Sequence, residues 1–174
     1  MTGVECFLDT NILLYAASRN PAELEKKKIA IDLIGETHFG LSAQVLQEFY
    51  TVAVKKAEFR MTPHRALEWI ENLEEFPCLA IDVGLVKTAA EEAVRYRLSY
   101  WDGAILAAAK ALGAKTLYSE DLNHGQNYGG VSVCNPFKGL PKSGLHEGVV
   151  EFSNESAPGD ARSQRRNPKN FERS

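Results

Sequence analysis

The chain has 174 residues, 44% hydrophobic and 25% charged, enough for one globular domain with its own core and no need of disulfides or a structural metal. Twenty Lys and Arg against 23 Asp and Glu give a net charge of -3, which excludes a protein that holds nucleic acid through a general basic surface. No apolar run approaches the roughly 18 residues needed to span a bilayer, and the opening MTGVECFLD lacks the pattern of a signal peptide, so the expectation is a cytoplasmic protein with no membrane span.

Along the first 138 residues short β-like runs alternate with helical patterns. VECFL (4–8) reads as a strand, followed by the turn Asp9-Thr10-Asn11 and a helix over NILLYAA. Asn20 and Pro21, with Glu23 close behind, open the next helix. FGL (39–41) is a short strand, and 42–57 is helical with an apolar arc through Val45, Leu46, Phe49, Tyr50, Val52 and Ala53. Thr62-Pro63 starts another helix, CLAID (78–82) is a strand, and Asp82 caps the run VGLVKTAAEEAVRYRL. SYWDGAILAAAKALG (99–113) is a helix so apolar that most of its sides must be buried; KTLYS (115–119) and VSVC (131–134) close the pattern as strands. Such alternation predicts an α/β fold with a mostly parallel sheet. The expected domain is residues 1–140. From 141 to 174 the chain turns rich in Ser, Gly, Pro, Asn and charge, as a flexible polar tail does. Within it, Arg162, Arg165, Arg166, Lys169 and Arg173 against Glu172 give residues 161–174 a charge of +4, leaving -7 on residues 1–160. Cys6, Cys78 and Cys134 lie far apart inside apolar runs and read as buried free thiols.

Four acids fall where an α/β sheet collects ligands, at strand carboxyl ends and helix starts. Asp9 follows the first strand. Glu48 lies at the edge of the apolar arc of its helix. Asp102 sits in the first turn of the buried helix, and Asp121 follows KTLYS with Glu120 beside it. Singly, each has a plain explanation: Asp9 caps a helix, Glu48 points to water, Asp102 forms a capping box with Ser99, and Asp121 belongs to a turn. Jointly they point to one acidic site. Carboxylates within about 5 Å repel by several kcal/mol at an effective dielectric near 20, so such a group takes up protons or binds cations. Oxygen ligands favour magnesium or manganese, since no Cys or His stands at ligand spacing near these acids. His124 alone is close in sequence, and it reads as a loop residue. Hard ions held this way suit phosphodiester hydrolysis.

These motifs, FLDTNILLY (7–15), QEFY (47–50), YWDGAILAAA (100–109), SEDLNHGQ (119–126) and VSVCNPF (131–137), resemble those of the PIN-domain family of metal-dependent ribonucleases, and more closely its VapC-type toxins of toxin-antitoxin pairs. The resemblance covers about residues 4–138. It implies a three-layer α/β/α sandwich and an endoribonuclease using Mg2+ or Mn2+, with Asp9, Glu48, Asp102 and Asp121 as catalytic metal-binding acids and Asn11, Ser119 and Asn123 in support. Where family members often carry a second aspartate and an aromatic, this chain has Asn123 and His124. The resemblance further implies an RNA substrate, a cognate antitoxin protein and a homodimer. Two other readings compete. A non-catalytic module would keep the fold and bind nucleic acid or protein through its surface. A haloacid-dehalogenase-type phosphohydrolase would need a second aspartate where Asn11 stands. No nucleotide-binding glycine loop occurs.

Overall fold

The computed structural model describes residues 3–141. Six strands, β1 (Cys6–Leu8), β2 (Phe39–Ser42), β3 (Cys78–Leu79), β4 (Thr116–Tyr118), β5 (Asn127–Tyr128) and β6 (Val131–Cys134), form one sheet in the order β3-β2-β1-β4-β6-β5. All pairs are parallel except β5 with β6. Helices α1 (Thr10–Ala17), α2 (Leu24–Glu36), α3 (Ala43–Lys55), α4 (Pro63–Leu73), α5 (Val83–Tyr96) and α6 (Tyr100–Ala111) fill the connections. The steps from β1 to β2 and from β2 to β3 run in one direction, and the step from β3 to β4 runs back past both. Right-handed crossovers therefore put α1–α4 on one face and α5 and α6 on the other, making a three-layer α/β/α sandwich.

Helix starts follow side-chain chemistry. Asp9, Ser42, Thr62, Asp82 and Ser99 each accept a hydrogen bond from a backbone N–H of the helix they open. Asn20 does the same for a single 3-10 turn, Pro21–Glu23, ahead of α2. The core is built from β1, β2, β4 and β6 through Phe7, Leu8, Phe39, Leu41, Leu117 and Val133, against Ile12, Leu13, Phe49 and Leu106 from the helices. Helix α1 is buried along its whole length. From Gly103 to Ala109, α6 is also buried, as its composition requires.

Two details depart from expectation. The pair β5 and β6 is a hairpin, with Tyr128 opposite Val131 and the turn made by Gly129 (φ 65°) and Gly130 (φ 104°). Positive φ at both central positions is what a tight two-residue hairpin demands, and two glycines supply it without strain. The cysteines are all free, but only Cys6 is buried; Cys78 is exposed and Cys134 half-buried. Cys78 lies on a two-residue edge strand, too short to be covered on both faces. No helix among the described residues is long and apolar enough to cross a membrane. The polar tail expected over 141–174 lies, beyond Pro141, outside the described residues.

Helices α5 and α6 pack almost backbone to backbone at Gly103. A Cβ there would come within 2.5 Å of the Ala89 carbonyl oxygen and 2.9 Å of the Ala93 nitrogen. Gly103→Ala should therefore lower stability by about 1–3 kcal/mol despite alanine's better helix propensity, as read by denaturant unfolding.

Candidate active site

The position of the site follows from the sheet. Strand β1 has β2 on one side and β4 on the other, and the strand order reverses between β1 and β4, so their carboxyl ends border a crevice. Parallel register aligns Leu8 with Tyr118, which sets Asp9 beside Ser119. Asp9, 4% exposed, caps α1 by accepting from Thr10 N at 2.7 Å through Oδ1. Its Oδ2 accepts from the Ser119 hydroxyl at 2.6 Å and from Asn11 Nδ2 at 3.2 Å. The same Asn11 amide donates to Asp121 Oδ2 at 3.2 Å, and Ser119 Oγ accepts from Asp121 N at 3.1 Å. Thr10 Oγ1 donates to Glu48 Oε2 at 3.0 Å, tying α3 to the start of α1.

Of the acids singled out in the sequence, Asp9 and Asp121 are thus joined through Asn11 and Ser119, and Glu48 reaches the group through Thr10. Asp102 is half-buried on the first turn of α6, where its backbone N–H donates to Ser99 Oγ at 3.1 Å and Ser99 Oγ donates to its Oδ2 at 2.7 Å. Ser99 thus caps α6 as the spacing implies, but the Asp102 carboxylate takes the Ser99 hydroxyl instead of the Ser99 backbone N–H that a capping box would use. Asn123 donates to Gln126 Oε1 at 3.0 Å, and His124 Nδ1 accepts from Asn135 N at 3.0 Å, so both serve the loop ahead of the hairpin. Among the described residues no three His, Cys, Asp or Glu side chains converge tightly enough to form an ion cage by themselves.

Electrostatics mark Asp9 out. Burial, and after it the charges of Asp121 and Glu48, push its pKa up to about 7, against the opposing hydrogen bonds from Ser119 and Thr10 N. The site therefore carries a carboxyl whose ionised form lacks a compensating cation. Beside it, the buried Asn11 Oδ1 has no hydrogen-bond partner among the described residues. A neutral amide oxygen and carboxylates are the donors that magnesium and manganese accept. The residues fit such an ion.

One part of the site had no signal in the sequence. Glu120, next to Asp121, turns inward and pairs with Lys26 Nζ at 2.6 Å, with side chains 5% and 4% exposed. Lys26 Nζ also donates to Tyr15 Oη at 2.9 Å, and Tyr15 donates to Glu120. The ammonium lies 4.5 Å from the Tyr15 ring centre and 5.5 Å from that of Phe137. Lys26 opens the run Lys26-Lys27-Lys28, which reads as a solvated charge cluster. Only its three-residue spacing from buried Glu23 and four-residue spacing from buried Ala30 hint that it faces inward.

Two outcomes follow. Asp9 is protonated more readily folded than unfolded, so its contribution to stability is present below about pH 4 and lost as pH rises to about 7. Unfolding in EDTA should show this fall, Asp9→Asn should lack it, and Mg2+ should restore stability to the parent at neutral pH. Lys26→Met should cost about 3–5 kcal/mol by leaving the Glu120 carboxylate buried without its ammonium partner, and adding Glu120→Gln should recover much of that loss in denaturant titrations.

The PIN domain family model matches residues 6–129. Solved structures share the fold. VapC20 of Mycobacterium tuberculosis, described as a toxin that cleaves the sarcin-ricin loop, has a TM-score of 0.55 and 21% identity, covering 67% of this chain and 89% of that one. A toxin-antitoxin complex from Klebsiella pneumoniae gives 0.56 and 19%, covering 75% and 97%. FitAcB from Neisseria gonorrhoeae gives 0.52 and 19%, covering 76% and 99%. No curated protein sequence matches the chain. The family match spans well over half of the chain and includes Asp9, Glu48, Asp102 and Asp121, and so this chain belongs to the PIN domain family.

Proposed function

We propose that this PIN-domain chain is an endoribonuclease dependent on Mg2+ or Mn2+ and the toxin of a toxin-antitoxin pair, with residues 1–140 as its catalytic unit. The observation that carries the reading is Asp9: a buried carboxyl at the crevice between β1 and β4, raised to about pKa 7 by burial and by Asp121 and Glu48, held in one orientation by Ser119 and Asn11. Such a group is costly to keep unless a cation joins it. Asp9, Glu48, Asp102 and Asp121 are assigned the holding of metal, directly or through water, since magnesium keeps several waters and needs only one or two carboxylates. A bound divalent ion supplies a water activated for attack and charge compensation at the leaving oxygen.

The chain's own residues do the rest. Ser119 and Thr10 N–H fix the two oxygens of Asp9, so that its lone pairs have one direction. Asn11 spaces Asp9 from Asp121 by donating to both. Thr10 holds Glu48 at the rim, where that exposed carboxylate can meet an incoming phosphodiester through water. A general base of histidine type is not required. Toxin assignment and an antitoxin partner rest on the neighbours from Mycobacterium tuberculosis and Klebsiella pneumoniae, the first a toxin, the second a toxin-antitoxin complex. The acidic charge of residues 1–160 suits a basic partner segment.

Purified protein incubated with structured and single-stranded RNA in Mg2+ or Mn2+ should cut it. Cutting should stop in EDTA and fall to background in Asp9→Asn and Asp102→Asn, whose far-UV circular dichroism stays that of the parent. Mn2+ should raise the melting temperature of the parent and not of Asp9→Asn. A variant that cuts like the parent would refute its residue's assignment.

A further inference from the structure

Beyond the acid group, the turns that leave α1 and α3 enclose an open cleft of about 620 Å3 lined by Arg19, Asn20, Ala57, Glu58 and Arg60. The backbone at each arginine is held by anchored neighbours on both sides. Arg19 is exposed between Ser18, which is buried, donates to Glu23 and accepts from Asn20 N at 3.2 Å, and Asn20, which caps the turn at Pro21–Glu23. Arg60 is exposed between Phe59 and Met61, both buried. Its φ of 46° is in the left-handed region that arginine rarely adopts, and such strain persists where the surrounding packing demands it. Neither guanidinium has a hydrogen-bond or ion-pair partner among the described residues.

Two uncompensated guanidinium groups at one cleft run against the charge of an acidic chain. Their planar donor forks match the oxygens of a phosphate diester. Glu58 limits the net charge of the lining, so the cleft suits one phosphate rather than a long polyanionic tract. The eight residues of α1 rise about 12 Å between Asp9 and the residues before Arg19. A phosphate held at the cleft would therefore belong to a nucleotide away from the bond held at Asp9.

We propose that Arg19 and Arg60 form a phosphodiester-binding subsite that grips the RNA strand away from the scissile bond. The subsite rests on the ribonuclease reading above and deepens it. It serves substrate capture, so its loss weakens binding and is overcome at saturating RNA. Phosphate contacts of this kind carry no sequence information and set position only.

The test compares the full chain with its Arg19→Gln, Arg60→Gln double variant on single-stranded RNA, by steady-state cleavage in Mg2+ and by fluorescence anisotropy in EDTA at several salt concentrations. The double variant should raise KM about tenfold and flatten the slope of log affinity against log salt by about 1.4, the value for two released counterions on a single strand. Ala57→Glu, which keeps both arginines and adds a negative wall, should weaken binding in the same direction. If the parent cuts RNA while the double variant keeps the parent's KM and salt slope, the subsite is overturned and the nuclease reading stands. If the parent neither binds nor cuts RNA, both fall together.

Discussion

The hydrogen bond from Ser119 to Asp9 joins the carboxyl ends of β1 and β4, the two strands between which the chain changes direction across the sheet. Both partners are buried, and each is tied to other elements of the crevice. Asp9 begins α1, and Ser119 also receives the backbone N–H of Asp121. A shift of one residue in the pairing of β1 with β4 would turn these side chains to opposite faces of the sheet. Register, capping and the acidic site are therefore one constraint seen at three scales. Asn11 extends it, because its amide can satisfy Asp9 and Asp121 together only while the turn from β1 into α1 keeps its shape.

Beside this cluster of negative charge the molecule places a buried cation. Lys26 comes from α2, whose other buried residue is Ala30, and reaches under Tyr15 and Phe137 to Glu120. Glu120 is one bond along the chain from Asp121, so anchoring its side chain in the core holds the following residue at the crevice. A buried ion pair is weak evidence for stability when compared with apolar packing, since desolvation offsets most of the attraction. Its value here is directional: the loop after β4 has one arrangement in which Glu120 faces inward and Asp121 outward. The aromatic rings on either side keep water from the ammonium and strengthen that preference.

Much of this architecture was readable in the chain. The strand at VSVC has the bounds expected for it, and the helix starts at Asn20-Pro21, Thr62-Pro63, Asp82 and Ser99 use the caps their residue types announce. Asp9 and Asp121 were legible because strand ends are marked by a break in apolar pattern, and an acid at such a break is conspicuous. Less visible was anything that depends on three-dimensional neighbours. β5 escaped because two residues carry no periodicity, although the glycine pair after it is a hairpin signal. Cys78 and Cys134 looked buried since apolar runs do not say whether a strand is central or at an edge. Lys26 was hidden for the opposite reason, a charge in a polar-looking helix whose partner lies 94 positions along the chain. Thr10 read as part of the turn after the first strand, and only the approach of α3 gives its hydroxyl a distinct partner in Glu48.

Among the described residues the sheet ends on each side in a strand of two residues, β3 on one edge and β5 on the other. An edge this short offers too few free backbone donors and acceptors for a strand of another chain to zip on. Growth of the sheet by intermolecular pairing, the route to runaway association of many β-rich folds, is thereby disfavoured at both of these margins. Any protein that recognises this molecule through the described residues must accordingly read helical surfaces or the crevice itself, so specificity of assembly rests with side chains and not with the backbone ladder.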